Sequence, residues 1–323
     1  MADRTPVVML HTDAPDAALE IVRTAHPDLL VHACTTYADL PAALSETQAE
    51  VVYGVRFAGL SGFPRAALIE AGAVRWVSVG GSGVDHLGQW DASRMTVTNA
   101  AGVASGMMAE YALGAMLSFS LDLREFARAQ AARDWSKGKV RPIAGRTVLI
   151  VGLGHTGQAL AQRAAAMGMN VLGVRARPAP MPYVDETHGI DALLDLLPRA
   201  DFVMVCVPLL ASTQALIGAK SFAAMRPGTV LIDVSRGGVV DEDALIDALK
   251  TGRIGGAALD VFASEPLPAD HVFWGMENVI LTPHCSAVYD GWDRRSVAMF
   301  AENLWRYRRG DTLENIVNPE RGY

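Results

Sequence analysis

The run Gly152-Leu153-Gly154-His155-Thr156-Gly157 constrains this chain more than any other feature. It directly follows the apolar stretch Thr147 to Val151, which has the character of a buried strand, and opens a helical stretch from Gln158 to Met167. Glycines in that place let the backbone turn tightly and approach a pyrophosphate. The phosphate charge then meets the N–H groups and positive dipole end of the helix. A plain tight turn is the alternative for the glycines alone; strand, glycines and helix in this order point to dinucleotide binding.

The surrounding pattern extends that βαβ unit. Thr147 begins a series of strands at Val171 to Val174, Phe202 to Val207, Thr229 to Val234, Ala257 to Phe262 and Val279 to Thr282, most of them separated by helical stretches. Before it, Val7 to Leu10, Val51 to Val55 and Val74 to Val79 alternate with helical segments at Asp16 to Ala25 and Pro64 to Ala71. Both series predict α/β architecture with doubly wound parallel sheets. A chain of 323 residues exceeds what one core usually fills, so two domains are expected. The last helix, Arg294 to Arg309, has no strand left to cover in the second series, which sends it back to the first. The expected division is a discontinuous domain of residues 1–101 and 287–323 and a nucleotide-binding domain of residues 102–286. Ala104 to about Ala132 reads as a long helical segment, apolar nearly all round in its first half and therefore buried between domains or subunits. Arg177 to Pro182 reads as a surface loop.

Composition narrows the function classes. Half the residues are apolar and 20% are charged, which excludes a disordered chain. A net charge of -7 argues against a nucleic-acid partner, so an anionic ligand has to be caught locally. Cys34, Cys206 and Cys285 are scattered and form no CxxC pair, which fits reduced thiols of a cytoplasmic protein and no metal site. No apolar run reaches the roughly 18 residues of a membrane span, and no signal peptide is evident at the start, so a soluble protein is expected.

Three polar motifs lie just past apolar strands: Val234-Ser235-Arg236-Gly237-Gly238, then Leu259-Asp260-Val261-Phe262 leading to Glu265-Pro266, and Thr282-Pro283-His284. Ligands of open parallel sheets bind beyond the carboxyl ends of the strands, so these residues can share a pocket with the glycine loop. Together they suit reduction of a 2-keto acid, which needs a hydride from one side and a proton at the carbonyl oxygen. His284 supplies the proton, Glu265 fixes its tautomer and favours the imidazolium, and Arg236 holds the substrate carboxylate and polarises the carbonyl. Singly, each has a plainer explanation: a structural histidine, a turn arginine, a solvated glutamate. Three strand ends yielding a complementary set argue for the joint role.

Where an NAD-selective site usually ends its second strand with a carboxylate, this chain has Arg175, followed by Arg177. Guanidinium groups pair with a 2′-phosphate, which makes NADP the favoured cofactor over NAD. Two solvated loop arginines are the alternative.

Over nearly its full length the chain resembles the D-isomer-specific 2-hydroxyacid dehydrogenase family, on the strength of Gly152 to Gly157, Ser235-Arg236-Gly237, Leu259 to Phe262 with Glu265-Pro266, and Thr282-Pro283-His284. The resemblance implies Arg236 as substrate anchor, His284 as acid/base and Glu265 as its partner. It further implies that Gly80, Gly81 and Ser82, within Val79 to Gly83, grip the substrate carboxylate through backbone N–H groups. Val207, Pro208, Val234, Ser235, Asp260 and Ser286 would join Arg236 and His284 beside the cofactor, with a buried capping role the alternative for Asp260. Asn99 to Gly102 followed by Ala109-Glu110-Tyr111 resembles the family's hinge and the start of its interdomain helix, and the domains are expected to close about Gly102 and Ser286. The helix after the hinge implies a homodimer through residues 104–132. Glu110 within it needs a partner, and Trp135 is either an interface anchor or an aromatic near the partner subunit's pocket. His155, Thr156 and Arg175 depart from the usual glycine-loop and strand-end residues and point to the glyoxylate and hydroxypyruvate reductase branch. Two alternatives remain: phosphite oxidation on the same scaffold, which keeps the Arg, Glu and His set, and a non-catalytic NAD(P)-sensing protein. Formate oxidation pairs the histidine with Gln in this superfamily, and Glu265 counts against it.

Overall fold

Short apolar segments separated by amphipathic helices give two all-parallel sheets in the computed structural model, which describes residues 4–57, 62–135 and 138–319. The chain divides into two compact units, Met1–Val103 with Asp290–Tyr323, and Ala104–Tyr289. Among the described residues no helix is long and apolar enough to cross a membrane.

The first unit contains β1 (Val8–His11), α1 (Pro15–Ala25), β2 (Val31–Cys34), α2 (Leu40–Thr47), β3 (Val51–Gly54), α3 (Arg65–Ile69), β4 (Trp76–Val79) and β5 (Thr96–Asn99). Its sheet order is β2-β1-β3-β4-β5. Side chains alternate between the two faces, so Val8 and Leu10 pack on one side while Met9 pairs with Val52 and Val77 on the other. The last helix of the chain, Trp292–Arg309, covers the first of these faces with Val297, Phe300 and Leu304. Fully buried Trp76 stacks on Tyr307, meets Phe300 at a tilt and donates its indole N–H to Thr98 Oγ1 at 2.9 Å. That contact explains why the final helix belongs with the N-terminal sheet.

The second unit runs α4 (Ser105–Ser120), α5 (Leu123–Ala132), β6 (Thr147–Val151), α6 (His155–Ala166), β7 (Asn170–Val174), β8 (Glu186–His188), α7 (Leu193–Leu196), β9 (Phe202–Val205), α8 (Ala219–Ala224), β10 (Val230–Asp233), α9 (Glu242–Lys250), β11 (Gly256–Leu259) and β12 (Val279–Leu281); α10 is the terminal helix Trp292–Arg309. The strand order β12-β11-β10-β9-β6-β7-β8 reverses direction between β6 and β9. A reversal of this kind opens a crevice at the carboxyl ends of the strands. Register makes the edge even: Val151 pairs with Val205, Val205 with Asp233, Asp233 with Leu259 and Leu259 with Leu281.

Three expected features differ. The segment from Ala104 to Ala132 is two helices, because Asp122 adopts a left-handed conformation at φ 49° between α4 and α5, which Asp tolerates better than most residues. Helix α6 begins at His155 and not at Gln158, so His155, Thr156 and Gly157 form its first turn. Strands β2, β5 and β8 did not stand out in sequence, and all three are sheet edges. Their residues VHAC, TVTN and ETH are richer in polar side chains than the interior strands, and β2 and β8 are also only partly buried.

Buried Asp233 ends β10. Burial pushes its carboxyl up to about 7; bonds from Ser235 oppose the rise, the Asp260 charge adds to it and the Arg236 charge opposes it. A folded-state value above the ordinary 3.8 means that the stability it contributes is present at low pH and is lost as pH climbs towards about 7. Asp233→Asn keeps an acceptor for Ser235 without the charge. Thermal melts are therefore expected to separate as pH rises through this range, with the variant melting higher at neutral pH; parallel curves would contradict the buried charge.

Candidate active site

The glycine loop sits at the reversal point of the seven-stranded sheet. Gly152 follows β6 and accepts a hydrogen bond at its carbonyl from the Cys206 thiol at 3.0 Å, which ties the loop to the end of β9. Gly157 packs against the Gly152 carbonyl so closely that any Cβ there would collide with it. Helix α6 is capped by Gly154, with no side-chain cap on its first N–H groups among the described residues, and the space beside Gly154 is open. A pyrophosphate is the ligand that this donor set fits. His155 is exposed, while Thr156 Oγ1 lies 3.6 Å from Met108 Sδ on α4. Val207 is half-buried and Pro208 exposed on the neighbouring strand end.

Arg175 leaves the end of β7 one strand away from the glycine loop. Its guanidinium lies 2.9 Å from Met181 Sδ, and Arg177 is exposed in the loop that follows. Among the described residues neither arginine forms an ion pair, so two cations stand where a ribose-binding carboxylate is usual. The carboxylate on the adjacent edge strand, Glu186, is held by Arg199 and His188.

At the far side of the crevice, the three polar motifs meet. Glu265 Oε2 lies 2.8 Å from His284 Nδ1, and Glu265 Oε1 accepts the Phe262 N–H at 3.0 Å. Burial would raise the glutamate, but the bonds from His284 and Phe262, and then the His284 and Arg236 charges, outweigh it and hold the carboxyl below its ordinary value. An ionised carboxylate only accepts, so Nδ1 carries the proton and Nε2 is left for a ligand. The Arg236 charge is felt at Glu265, which puts the guanidinium in the same neighbourhood; its Nη1 also donates to the Ser235 carbonyl at 2.8 Å. Gly237 packs on the Phe262 carbonyl too tightly for a Cβ, which presses the arginine loop against the glutamate loop. Glu242 supports the same loop by accepting the Ala263 N–H at 3.2 Å.

Asp260 and Ser286 face inward. Asp260 is 1% exposed, and its carboxylate accepts from Thr282 Oγ1 at 2.6 Å, Cys285 N–H at 2.9 Å and Ser286 N–H at 3.0 Å. These bonds bracket His284, whose backbone is left-handed at φ 52°, a conformation histidine adopts more readily than most non-glycine residues. Val234 and Ser235 are buried, and Ser235 Oγ donates to Asp233 at 2.5 Å. Two supporting residues had no role assigned from sequence: Tyr111, whose hydroxyl is 3.0 Å from Thr282 Oγ1, and Asp233. Polarity in the apolar α4 was the available signal for Tyr111, but it pointed equally to Glu110, which pairs with Arg163 at 3.5 Å on the surface.

In the first unit, the Gly80–Ser82 segment follows β4. Its carbonyls are tied back: Gly80 to Ser296 Oγ at 2.7 Å, Gly81 to Ala100 N–H at 2.9 Å and Ser82 to Asn99 Nδ2 at 2.7 Å. The Gly80 N–H donates to Gly54, whereas those of Gly81, Ser82 and Gly83 find no acceptor among the described residues. Trp135 is 99% exposed beyond α5. The three cysteines are unbridged.

Residues 113–286 match the family described as D-isomer specific 2-hydroxyacid dehydrogenase, NAD binding domain. A glyoxylate reductase of Korarchaeum cryptofilum is 34% identical over 250 residues, 74% of each chain. A D-3-phosphoglycerate dehydrogenase of Methanocaldococcus jannaschii is 33% identical over 261 residues, and there the match spans 79% of this chain but only 49% of the relative. Among solved structures, a D-isomer specific 2-hydroxyacid dehydrogenase from Xanthobacter autotrophicus Py2, in complex with NADPH and MES, superposes with a TM-score of 0.85 at 31% identity, covering 99% of this chain and 100% of that one. An NADPH-dependent glyoxylate/hydroxypyruvate reductase from Sinorhizobium meliloti, in complex with NADP and sulfate, gives 0.83 at 27% identity and covers 99% of this chain and 100% of that one. With the glycine loop at the sheet reversal and the Glu265–His284 pair on strand ends in register with it, the chain belongs to the D-isomer specific 2-hydroxyacid dehydrogenase family of NAD(P)-dependent oxidoreductases.

Proposed function

We propose that this chain reduces a small 2-keto acid, glyoxylate or hydroxypyruvate, to the 2-hydroxy acid with NADPH in preference to NADH. The observation that carries the proposal is the 2.8 Å bond between His284 Nδ1 and Glu265 on the edge that also bears the glycine loop. The glyoxylate reductase and glyoxylate/hydroxypyruvate reductase among its relatives support the choice of substrate. Arg175 and Arg177, free of carboxylate partners among the described residues, support the choice of cofactor, as do the NADPH and NADP of the two solved neighbours.

The assigned roles follow from donor and acceptor chemistry. A bound nicotinamide supplies the hydride. Glu265 keeps the proton on Nδ1, so the Nε2 end of His284 delivers a proton to the carbonyl oxygen in reduction and takes it back in oxidation. Arg236 meets the substrate carboxylate with its fork of N–H groups and stabilises charge developing on the carbonyl oxygen. The Gly81 and Ser82 N–H groups, which find no acceptor among the described residues, are assigned to substrate binding, which makes residues 1–101 and 287–323 the substrate domain and residues 102–286 the NAD(P) domain. A cytoplasmic homodimer formed through residues 104–132, with Trp135 in its interface, completes the proposal.

His284→Ala is expected to lower kcat by roughly 10² to 10⁴ in steady-state assays with glyoxylate and hydroxypyruvate. Arg236→Ala should lower kcat and raise KM for the keto acid together, and a His284 variant retaining full activity would remove the assigned acid/base. A parallel assay with phosphite and oxidised cofactor distinguishes the other oxidoreductase reading. Comparing kcat/KM with NADPH and NADH tests the cofactor: Arg175→Ala should cost NADPH about 10- to 100-fold, the value of a charge-assisted bond, and leave NADH nearly unchanged. Equal losses for both cofactors would dissociate Arg175 from the 2′-phosphate. Light scattering should give twice the monomer mass, and a monomer would overturn the assembly.

A further inference from the structure

The hydroxyl of Tyr111 has no place in the chemistry assigned so far, yet it ends a chain of bonds that leads to the catalytic histidine. Thr282 Oγ1 lies between two oxygens, Asp260 Oδ1 at 2.6 Å and Tyr111 Oη at 3.0 Å. A hydroxyl has one proton to give. The Asp260 carboxylate, which already accepts the Cys285 and Ser286 N–H groups, sits at the shorter distance, so the threonine proton points at it. The proton between Thr282 and Tyr111 must then come from the tyrosine. Burial, aided by the Asp260 charge, pushes the Tyr111 phenol up to about 12, so it remains a donor across any working pH.

Tyr111 shares a face of α4 with Met108, three residues earlier. Met108 touches Thr156 in the first turn of α6, while Tyr111 reaches the loop that carries His284. One face of one helix thus backs both the cofactor helix and the acid/base loop, within a single compact unit. The backing has a clear task, since the bonds of its neighbours hold His284 in a left-handed conformation that is uncommon even for histidine.

We infer that Tyr111 is a positioning residue for the dehydrogenase reaction: by donating to Thr282 it commits the threonine proton to Asp260 and so holds the Thr282–Ser286 loop with His284 aimed at the substrate carbonyl. This rests on the function proposed above for His284.

The test is a double-mutant cycle on the full chain with Tyr111→Phe and Thr282→Val, read in three ways. Tyr111→Phe should lower kcat about fivefold, the value of one neutral hydrogen bond, with KM for NADPH unchanged. In the Thr282→Val background the same change should alter kcat less than about twofold, because its route to His284 is gone. Thr282→Ser, which keeps the hydroxyl, should restore kcat and its dependence on Tyr111. Imidazole ¹⁵N spectra, with His284→Ala identifying the signal, should show the Nδ1-protonated tautomer in the wild type and a mixture in Tyr111→Phe. This last readout needs no substrate, so a wild type inactive on keto acids would defeat the proposed function while the tautomer shift still decided the role of Tyr111. Multiplicative effects on kcat, or a lowered melting temperature with kcat and tautomer unchanged, would make Tyr111 a packing residue and overturn the inference.

Discussion

Everything chemical in this chain depends on strand register. Val151, Val205, Asp233, Leu259 and Leu281 are paired across the seven-stranded sheet, so the residues that follow them leave the sheet along one line. The glycine loop, the arginine, the aspartate and the histidine lie up to about 130 positions apart in sequence, yet each is within a few residues of that line. A slip of one residue in any strand would turn its terminal side chain to the opposite face, which burial on both faces opposes strongly. The hydrophobic runs that make these strands are therefore also what aligns the site.

On that edge the polar groups are arranged in layers of decreasing burial. Asp233 and Asp260 are buried and bind backbone and hydroxyl donors; Glu265 and His284 are each about one-third exposed and bind one another. The inner carboxylates shape loops, and the outer pair retains a ring nitrogen for a ligand. Buried acceptors that are satisfied by N–H groups rigidify a loop, which is how a histidine with a left-handed backbone can be held in one orientation. Burial raises Asp233 and opposes its ionisation, whereas bonds and nearby positive charge win at Glu265. Two carboxyl groups of similar chemistry are thus shifted in opposite directions from their ordinary values because their surroundings differ.

Much of this was legible beforehand. The glycine run, the strand-end motifs and the discontinuous first unit follow from periodicity and from a final helix without a sheet of its own. Interior strands were evident because burial on two faces requires unbroken Val, Ile and Leu. Edge strands such as Thr96–Asn99 escaped because their composition resembles that of a loop. The break at Asp122 escaped because it depends on one left-handed residue in an otherwise helical composition. The roles of Tyr111 and Asp233 were hidden for a different reason: their partners lie far off in sequence or on one short turn, and no spacing rule connects a helix tyrosine with a threonine 171 positions later. Motifs identify groups that meet ligands, and only coordinates identify the groups behind them.

A crystal structure with NADPH and the keto-acid analogue oxamate would test the central claim most directly. The account predicts His284 Nε2 and the Arg236 guanidinium both within hydrogen-bond distance of the analogue, with His284 Nδ1 still on Glu265 and the nicotinamide ring beside them. Oxamate bound by other residues, or Arg236 and His284 directed into separate crevices, would contradict it.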